Sequence, residues 1–225
     1  MTQIIENYFE FKKGVPDNVS LVAVSKTKPE EDILKLYKNG QRIFGENKVQ
    51  ELVRKSENLP EDIEWHMIGH LQSNKVKYIA PFINLIHGVD SFKLLKTINK
   101  EAAKNNRTIL CLLQMHIAME ETKFGLSEDE LDELLKSESY KELGNIKIAG
   151  LMGMATFTED YDQVRKEFRK LKTIFEELKS GFFKNEEKFK VLSMGMSNDY
   201  KIAIEEGANM LRIGSLIFGS RNYSN

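Results

Sequence analysis

Leu21-Val22-Ala23-Val24-Ser25-Lys26 is an apolar run that ends in a lysine, and Thr27-Lys28-Pro29 turns the chain directly after it. Four successive apolar residues bounded by a turn read as a short strand covered on both faces, as in a parallel sheet. A lysine leaving such a strand stands at the edge of a buried layer. Burial disfavours the ammonium, lowers its pKa and makes the amine a nucleophile able to form a Schiff base. A structural, salt-bridged lysine accounts for the position equally well. The rest of the chain has to separate the two.

Working outward, runs of the same kind recur at 42–45, 64–68, 85–89, 109–115, 146–151, 190–194 and 210–213, which with 21–24 makes eight. Helical patterns fall between them. Segment 29–39 opens with proline and two acids and stops before Gly40, a favourable start and stop. Segment 91–105 opens on a serine cap. Ser127-Glu128-Asp129-Glu130 reads as a capping box, with Leu131, Leu134 and Leu135 behind it at helical spacing. Segment 160–179 carries Val164, Phe168, Leu171, Phe175 and Leu178 on one face, and 198–206 is a short helix ending at Gly207. Segment 179–188 reads as a polar, mobile loop. Eight βα units without a break in composition predict a single (β/α)8 TIM-type barrel over 1–225, with an extra N-terminal helix over 3–12. A doubly wound open sheet is the competing arrangement.

Composition removes several classes of function. Lys and Arg (33) nearly balance Asp and Glu (34) among 225 residues, for a net charge of −1. Such a chain has no global field toward nucleic acid or membrane. No apolar stretch approaches the roughly 20 residues of a membrane span. Cys111 is the only cysteine, set in Ile109-Leu110-Cys111-Leu112-Leu113, where it reads as a small buried hydrophobe. One cysteine and four scattered histidines make no metal motif. No basic-then-apolar leader opens the chain. The expectation is a cytoplasmic protein.

In a barrel, chemistry gathers at the C-terminal ends of the strands, and phosphate is frequently held by the loops after strands 7 and 8. Strand 1 ends at Lys26. Strand 7 runs into Ser193-Met194-Gly195-Met196-Ser197-Asn198-Asp199, and strand 8 into Arg212-Ile213-Gly214-Ser215. Small residues, hydroxyls and free N–H groups before a helix suit an anion. Read singly, Gly195 and Gly214 also serve as tight turns, and Ser197 as a helix cap. Arg212 on strand 8 is either a structural salt-bridge partner or a donor to a heteroaromatic nitrogen. A guanidinium practically never yields its proton, so in the second role it keeps a pyridine nitrogen unprotonated and the ring a weaker electron sink.

The motifs Val24-Ser25-Lys26-Thr27-Lys28-Pro29, Phe44-Gly45-Glu46-Asn47, Trp65-His66-Met67-Ile68-Gly69-His70-Leu71-Gln72-Ser73-Asn74-Lys75, Gly150-Leu151-Met152-Gly153-Met154, Met194-Gly195-Met196-Ser197 and Arg212-Ile213-Gly214-Ser215-Leu216-Ile217-Phe218-Gly219 resemble, in this order, the pyridoxal-phosphate homeostasis proteins. Those are similar in turn to the N-terminal barrel of alanine racemase. The likeness spans about 19–223. It implies a barrel carrying pyridoxal 5′-phosphate (PLP) as a covalent aldimine on Lys26. It further implies that Ser197, Gly214 and Ser215 hold the phosphate, that Arg212 faces the pyridine nitrogen and that Asn47 lines the pocket. His70, Gly88, His116 and Asn209 depart from residues common in the family. None of these departures removes the lysine, the arginine or the phosphate turns.

The resemblance implies a protein that binds, buffers and delivers PLP, with apo PLP-dependent enzymes as recipients and no established turnover; a monomer is the expectation because no large second domain or obvious dimer helix is present. Lys28, two residues on, is a candidate second amine for exchange. The alternative is a PLP-dependent amino-acid racemase. Two-sided proton transfer at Cα needs a group on each face of the substrate, and alanine racemase takes its second group from a further domain. A third possibility is an aldolase-type barrel using Lys26 directly on a carbonyl substrate.

Overall fold

The apolar runs are strands, and they close on themselves. The computed structural model describes residues 2–120 and 124–219. Strands β1 (Ser20–Val24), β2 (Ile43–Glu46), β3 (Glu64–Met67), β4 (Leu85–Val89), β5 (Ile109–Met115), β6 (Ile146–Gly153), β7 (Val191–Ser193) and β8 (Met210–Ile213) pair in sequence order into a closed barrel. Every described pairing is parallel, and β8 returns to β1 in the register Val22↔Arg212 and Ala23↔Ile213. Closure decides against the open sheet.

The strand period of two sorts the side chains into two cores. Val22, Leu85, Leu112, Ala149, Met152 and Met210 meet inside the barrel. Their neighbours in sequence, among them Leu21, Ala23, Ile86, Cys111, Leu211 and Ile213, face the surrounding helices. Cys111 is therefore buried between layers, and burial pushes its thiol pKa up. Between the strands lie α1 (Gln3–Lys13), α2 (Glu30–Lys38), α3 (Val49–Asn58), α4 (Val76–Ile79), α5 (Phe92–Lys104), α6 (Glu128–Lys136), α7 (Glu138–Lys141), α8 (Tyr161–Ser180), α9 (Tyr200–Glu205) and α10 (Ser215–Phe218). The N-terminal helix α1 packs against α10 and α2, and Asn7 Nδ2 donates to the Ile217 carbonyl at 3.2 Å. It completes the outer ring where α10, only four residues long, covers little.

The caps read from sequence form. Ser91 accepts from the Leu94 N–H, and Ser127 and Glu130 make the reciprocal capping box. Segment 179–188 differs from the expected mobile loop, because Phe183 is buried in it and stacks on Phe189 with ring centroids 4.3 Å apart. Helix α3 was not legible as a helix. Its segment is charge-dense, and its buried face, Val49, Leu52 and Lys55, includes a lysine, which hides the apolar period. Among the described residues no helix is long and apolar enough to cross a membrane, and no group of His, Cys, Asp and Glu is placed to hold a metal ion.

Candidate functional site

Because all eight strands are parallel, their C-terminal ends share one rim. A cavity of ≈ 460 Å³ opens there, lined by residues at or just beyond the ends of β1, β2, β3, β6, β7 and β8. Lys26, Asn47, Ser197, Arg212, Gly214 and Ser215 all line it, together with Lys28 and Asp199. These positions are scattered along the chain, and closure of the barrel brings them together.

Lys26 is partly buried, one residue beyond the fully buried Ser25. The layer beneath it is charged. Lys55 of α3 has no exposed surface, and its Nζ donates to Glu46 Oε1 at 2.7 Å, to Glu51 Oε1 at 2.8 Å and to the Ser25 carbonyl at 2.9 Å. Ser25 Oγ donates to Glu46 Oε1 at 2.7 Å. Burial pushes the Glu46 pKa up even against the Lys55 charge. Asn47 follows Glu46 onto the rim. Its backbone is approached so closely by Gly69 that a Cβ there would lie 2.6 Å from the Asn47 carbonyl oxygen. Lys28 Nζ donates to the Phe218 carbonyl at 3.0 Å, which ties the first rim turn to the last.

The adjoining wall starts from Arg212, whose strand position points it into the barrel beside Val22 of β1. The side chain is buried. One terminal nitrogen donates to the Ser193 carbonyl at 2.9 Å and to Ser193 Oγ at 2.7 Å, and the other donates to the Gly153 carbonyl at 3.0 Å. Among the described residues no bond uses Nε, and every acceptor is neutral. Burial lowers the pKa to about 10, with Asp199 acting the other way, so the group stays cationic at neutral pH. The salt-bridge reading of Arg212 is thus replaced by a guanidinium held by carbonyls and a hydroxyl.

The polar contacts continue across the barrel floor. Ser193 Oγ lies 3.1 Å from His87 Nδ1, and His87 Nε2 lies 3.0 Å from His66 Nδ1. Both histidines are buried, and burial takes His66 down to about 3 and His87 well below its ordinary value. Two neutral rings can be chained by single protons with Ser193 O–H donating to His87 Nδ1 and His87 Nε2–H to His66 Nδ1.

At the anion-facing turns, Gly195 has φ +92°, and a Cβ there would fall 2.6 Å from Ala203 Cβ. Only glycine brings this loop down onto α9. The Met196 N–H is taken by Asp199 Oδ1, while Ser197 lies between them, partly exposed, on the cavity wall. Gly214 and Ser215 open α10, where the Gly214 carbonyl accepts from the Ile217 and Phe218 N–H groups at 3.1 and 2.9 Å.

Residues away from the cavity settle into structural roles. His70 stacks on Phe124 at 4.2 Å and pairs with Asp90, His116 Nε2 meets the Glu120 carbonyl, and Asn209 bridges the Leu192 N–H and the Lys190 carbonyl. Sequence reasoning gave no part to Lys55, Glu46, Glu51, Ser193, His66 or His87. A usable signal existed for one of them, since Lys55 follows Val49 and Leu52 on the apolar face of a helix. His66 and His87 lie twenty-one residues apart and meet only because β3 and β4 are neighbours.

Known proteins share this arrangement. The alanine racemase N-terminal domain family matches residues 1–222. The chain is 44% identical over 204 residues to a pyridoxal phosphate homeostasis protein of Aquifex aeolicus, covering 90% of this chain and 87% of that one. It is 41% identical over 223 residues to one of Vibrio alginolyticus, covering 96% and 93%. Among solved structures, PipY of Synechococcus elongatus PCC7942 with PLP bound superposes with TM-score 0.86 at 33% identity, covering 96% of this chain and all of that one. An alanine racemase from Bartonella henselae shares the fold at TM-score 0.72 and 18% identity, and the match covers 98% of this chain and 63% of that one. The rim lysine, the buried arginine and the two serine turns therefore sit in a chain that belongs to the alanine racemase N-terminal domain family, among relatives named pyridoxal phosphate homeostasis protein.

Proposed function

We propose that this chain holds PLP through a Schiff base on Lys26 Nζ, buffers it, and delivers it to apo-enzymes without turnover of its own. The observation that carries this is convergence. A lysine from β1, an asparagine from β2, a buried arginine from β8 and serine–glycine turns after β7 and β8 all line one cavity of ≈ 460 Å³. The cofactor fits that donor set. Lys26 offers an amine to its carbonyl carbon. Ser197, Gly214 and Ser215 offer hydroxyl and N–H donors to its phosphate, and Asn47 lines the pocket beside them. Arg212 offers a fixed cationic edge to its ring nitrogen.

When bound, the cofactor supplies an electron sink at its ring, and the sink is strongest when the ring nitrogen carries a proton. Arg212 is a donor that remains charged at neutral pH. Its hydrogen bonds to Ser193 and Gly153 hold it so that it competes with a proton at that nitrogen. This supports a holder over a racemase. Racemisation also needs acid–base groups on both faces of Cα. Lys28 Nζ donates to the Phe218 carbonyl, and Asp199 lies with the phosphate-facing turn. The same reading takes the chain as one cytoplasmic domain over 1–225, working as a monomer.

The test pairs two assays. Incubation with single-enantiomer alanine and the cofactor should leave chirality intact, whereas fast loss that disappears in Lys26→Ala would establish a racemase. Mixing the loaded protein with an apo PLP-dependent enzyme should restore that enzyme's activity faster than spontaneous release allows. Transfer no faster than release would remove the delivery role.

A further inference from the structure

The peptide units on both sides of Lys26 are gripped by the same buried ion cluster. On the N-terminal side, the Ser25 carbonyl accepts from Lys55 Nζ at 2.9 Å, Ser25 Oγ donates to Glu46 Oε1 at 2.7 Å, and the Ser25 N–H donates to the Gly45 carbonyl at 3.0 Å. On the C-terminal side, the Thr27 N–H donates to Glu51 Oε1 at 2.7 Å. Lys55 joins the two halves through its contacts to Glu46 and Glu51.

The geometry has a definite consequence. The peptide plane carrying the Ser25 carbonyl sets φ of Lys26, and the plane carrying the Thr27 N–H sets ψ. With one group of each plane held, the direction of the Lys26 Cα–Cβ bond is held too. Thr27 itself has φ +65°, a left-handed conformation that disfavours a β-branched residue. The Glu51 bond to its N–H offsets that cost.

The cluster is also an expensive way to stabilise a fold. All three Lys55 protons are used, yet a buried ion pair is often no better than apolar residues of the same volume. Glu46 Oε2 is enclosed with no hydrogen-bond partner among the described residues. A leucine or methionine at position 55 would serve packing alone.

We propose that Lys55, Glu46 and Glu51 are positioning residues for Lys26: by fixing the backbone on both sides of it they aim its amine into the cavity. This rests on Lys26 as the covalent anchor. The three residues act through the backbone and touch no ligand.

Glu51 gives the cleanest test, because its side chain is partly exposed and its loss leaves the Lys55–Glu46 pair in place. Glu51→Ala removes the acceptor for the Thr27 N–H, and Glu51→Gln keeps one. In cofactor-free protein mixed with PLP, the rate at which borohydride-fixed adduct accumulates on Lys26 is followed by peptide mapping. Inorganic phosphate binding and the urea midpoint are measured alongside. Glu51→Ala should slow adduct formation about tenfold, as small misplacements of reacting groups do, with phosphate affinity unchanged. Glu51→Gln should stay close to wild type. An unchanged rate in Glu51→Ala, or a fall in rate matched by an equal fall in phosphate affinity, would overturn the positioning role. Wild-type adduct on a lysine other than Lys26 would instead overturn the anchor reading, and this role with it.

Discussion

Two buried cations flank the cavity, and they are compensated in opposite ways. Lys55 lies under the Lys26 turn and meets two carboxylates, Glu46 and Glu51, at 2.7 and 2.8 Å. Arg212 lies on the neighbouring strand β8, and among the described residues its bonds run only to the Ser193 and Gly153 carbonyls and the Ser193 hydroxyl. The first charge is met where it stands by two carboxylates. The second is solvated by dipoles and keeps its charge for whatever binds. A cancelled cation organises backbone, while an uncancelled one on a cavity wall recognises an acceptor.

That contrast can be broken most easily at Lys55. Lys55→Met should destabilise the protein by roughly 3–5 kcal/mol, because it strands two buried or half-buried carboxylates. Urea unfolding would read this directly. A loss below about 1 kcal/mol would mean that the cluster carries no real charge compensation.

The Arg212 wall should instead be sensitive to acid. His66 and His87 are held neutral in the fold, so below pH 6.5 the unfolded chain binds protons that the folded chain refuses. The stability they contribute is complete above that pH and is lost as the pH falls. Between pH 6.5 and 5 His66 should account for a loss of roughly 1.7 kcal/mol, and His87 should add to it in the same direction. His87→Asn should remove about half of that pH dependence in denaturation series at fixed ionic strength. A wild-type stability that is flat over this range would show the histidines to be protonated in the fold.

Arg212→Met should have the smallest effect on stability of the three. It leaves two carbonyls and a hydroxyl short of a donor, at roughly 1–3 kcal/mol, and it removes a buried charge that had no counter-ion bond. Its larger effect should be on the bound cofactor, whose visible spectrum should shift as the ring nitrogen becomes free to protonate. An unchanged spectrum would contradict contact between Arg212 and the ring.

Much of this was legible before any coordinates. Buried parallel strands announce themselves as apolar runs, and eight of them at βα spacing leave little besides a barrel. Rim positions follow from strand ends, which points to Lys26, Ser197, Arg212, Gly214 and Ser215, while Asn47 comes from the family resemblance; all six line the cavity. The supporting layer was not legible, for two physical reasons. Helix α3 buries a lysine, so its apolar stripe is broken where the stripe matters most. The Ser193–His87–His66 chain joins β7, β4 and β3 across the barrel interior, and no local sequence pattern encodes side-chain contacts between strands. The neutral acceptors of Arg212 likewise come from β6 and β7, which is why the sequence leaves a structural salt bridge open as an alternative there.

The central claim is that Lys26 anchors the cofactor. The most direct measurement is the visible absorption spectrum of the protein loaded with PLP, before and after borohydride, followed by peptide mapping. A yellow protein whose band disappears on reduction, with the cofactor mass fixed on the Lys26 peptide and no such mass in Lys26→Ala, is the predicted result. A colourless protein that fails to bind added cofactor, or a reduced adduct on Lys28 instead, would contradict it.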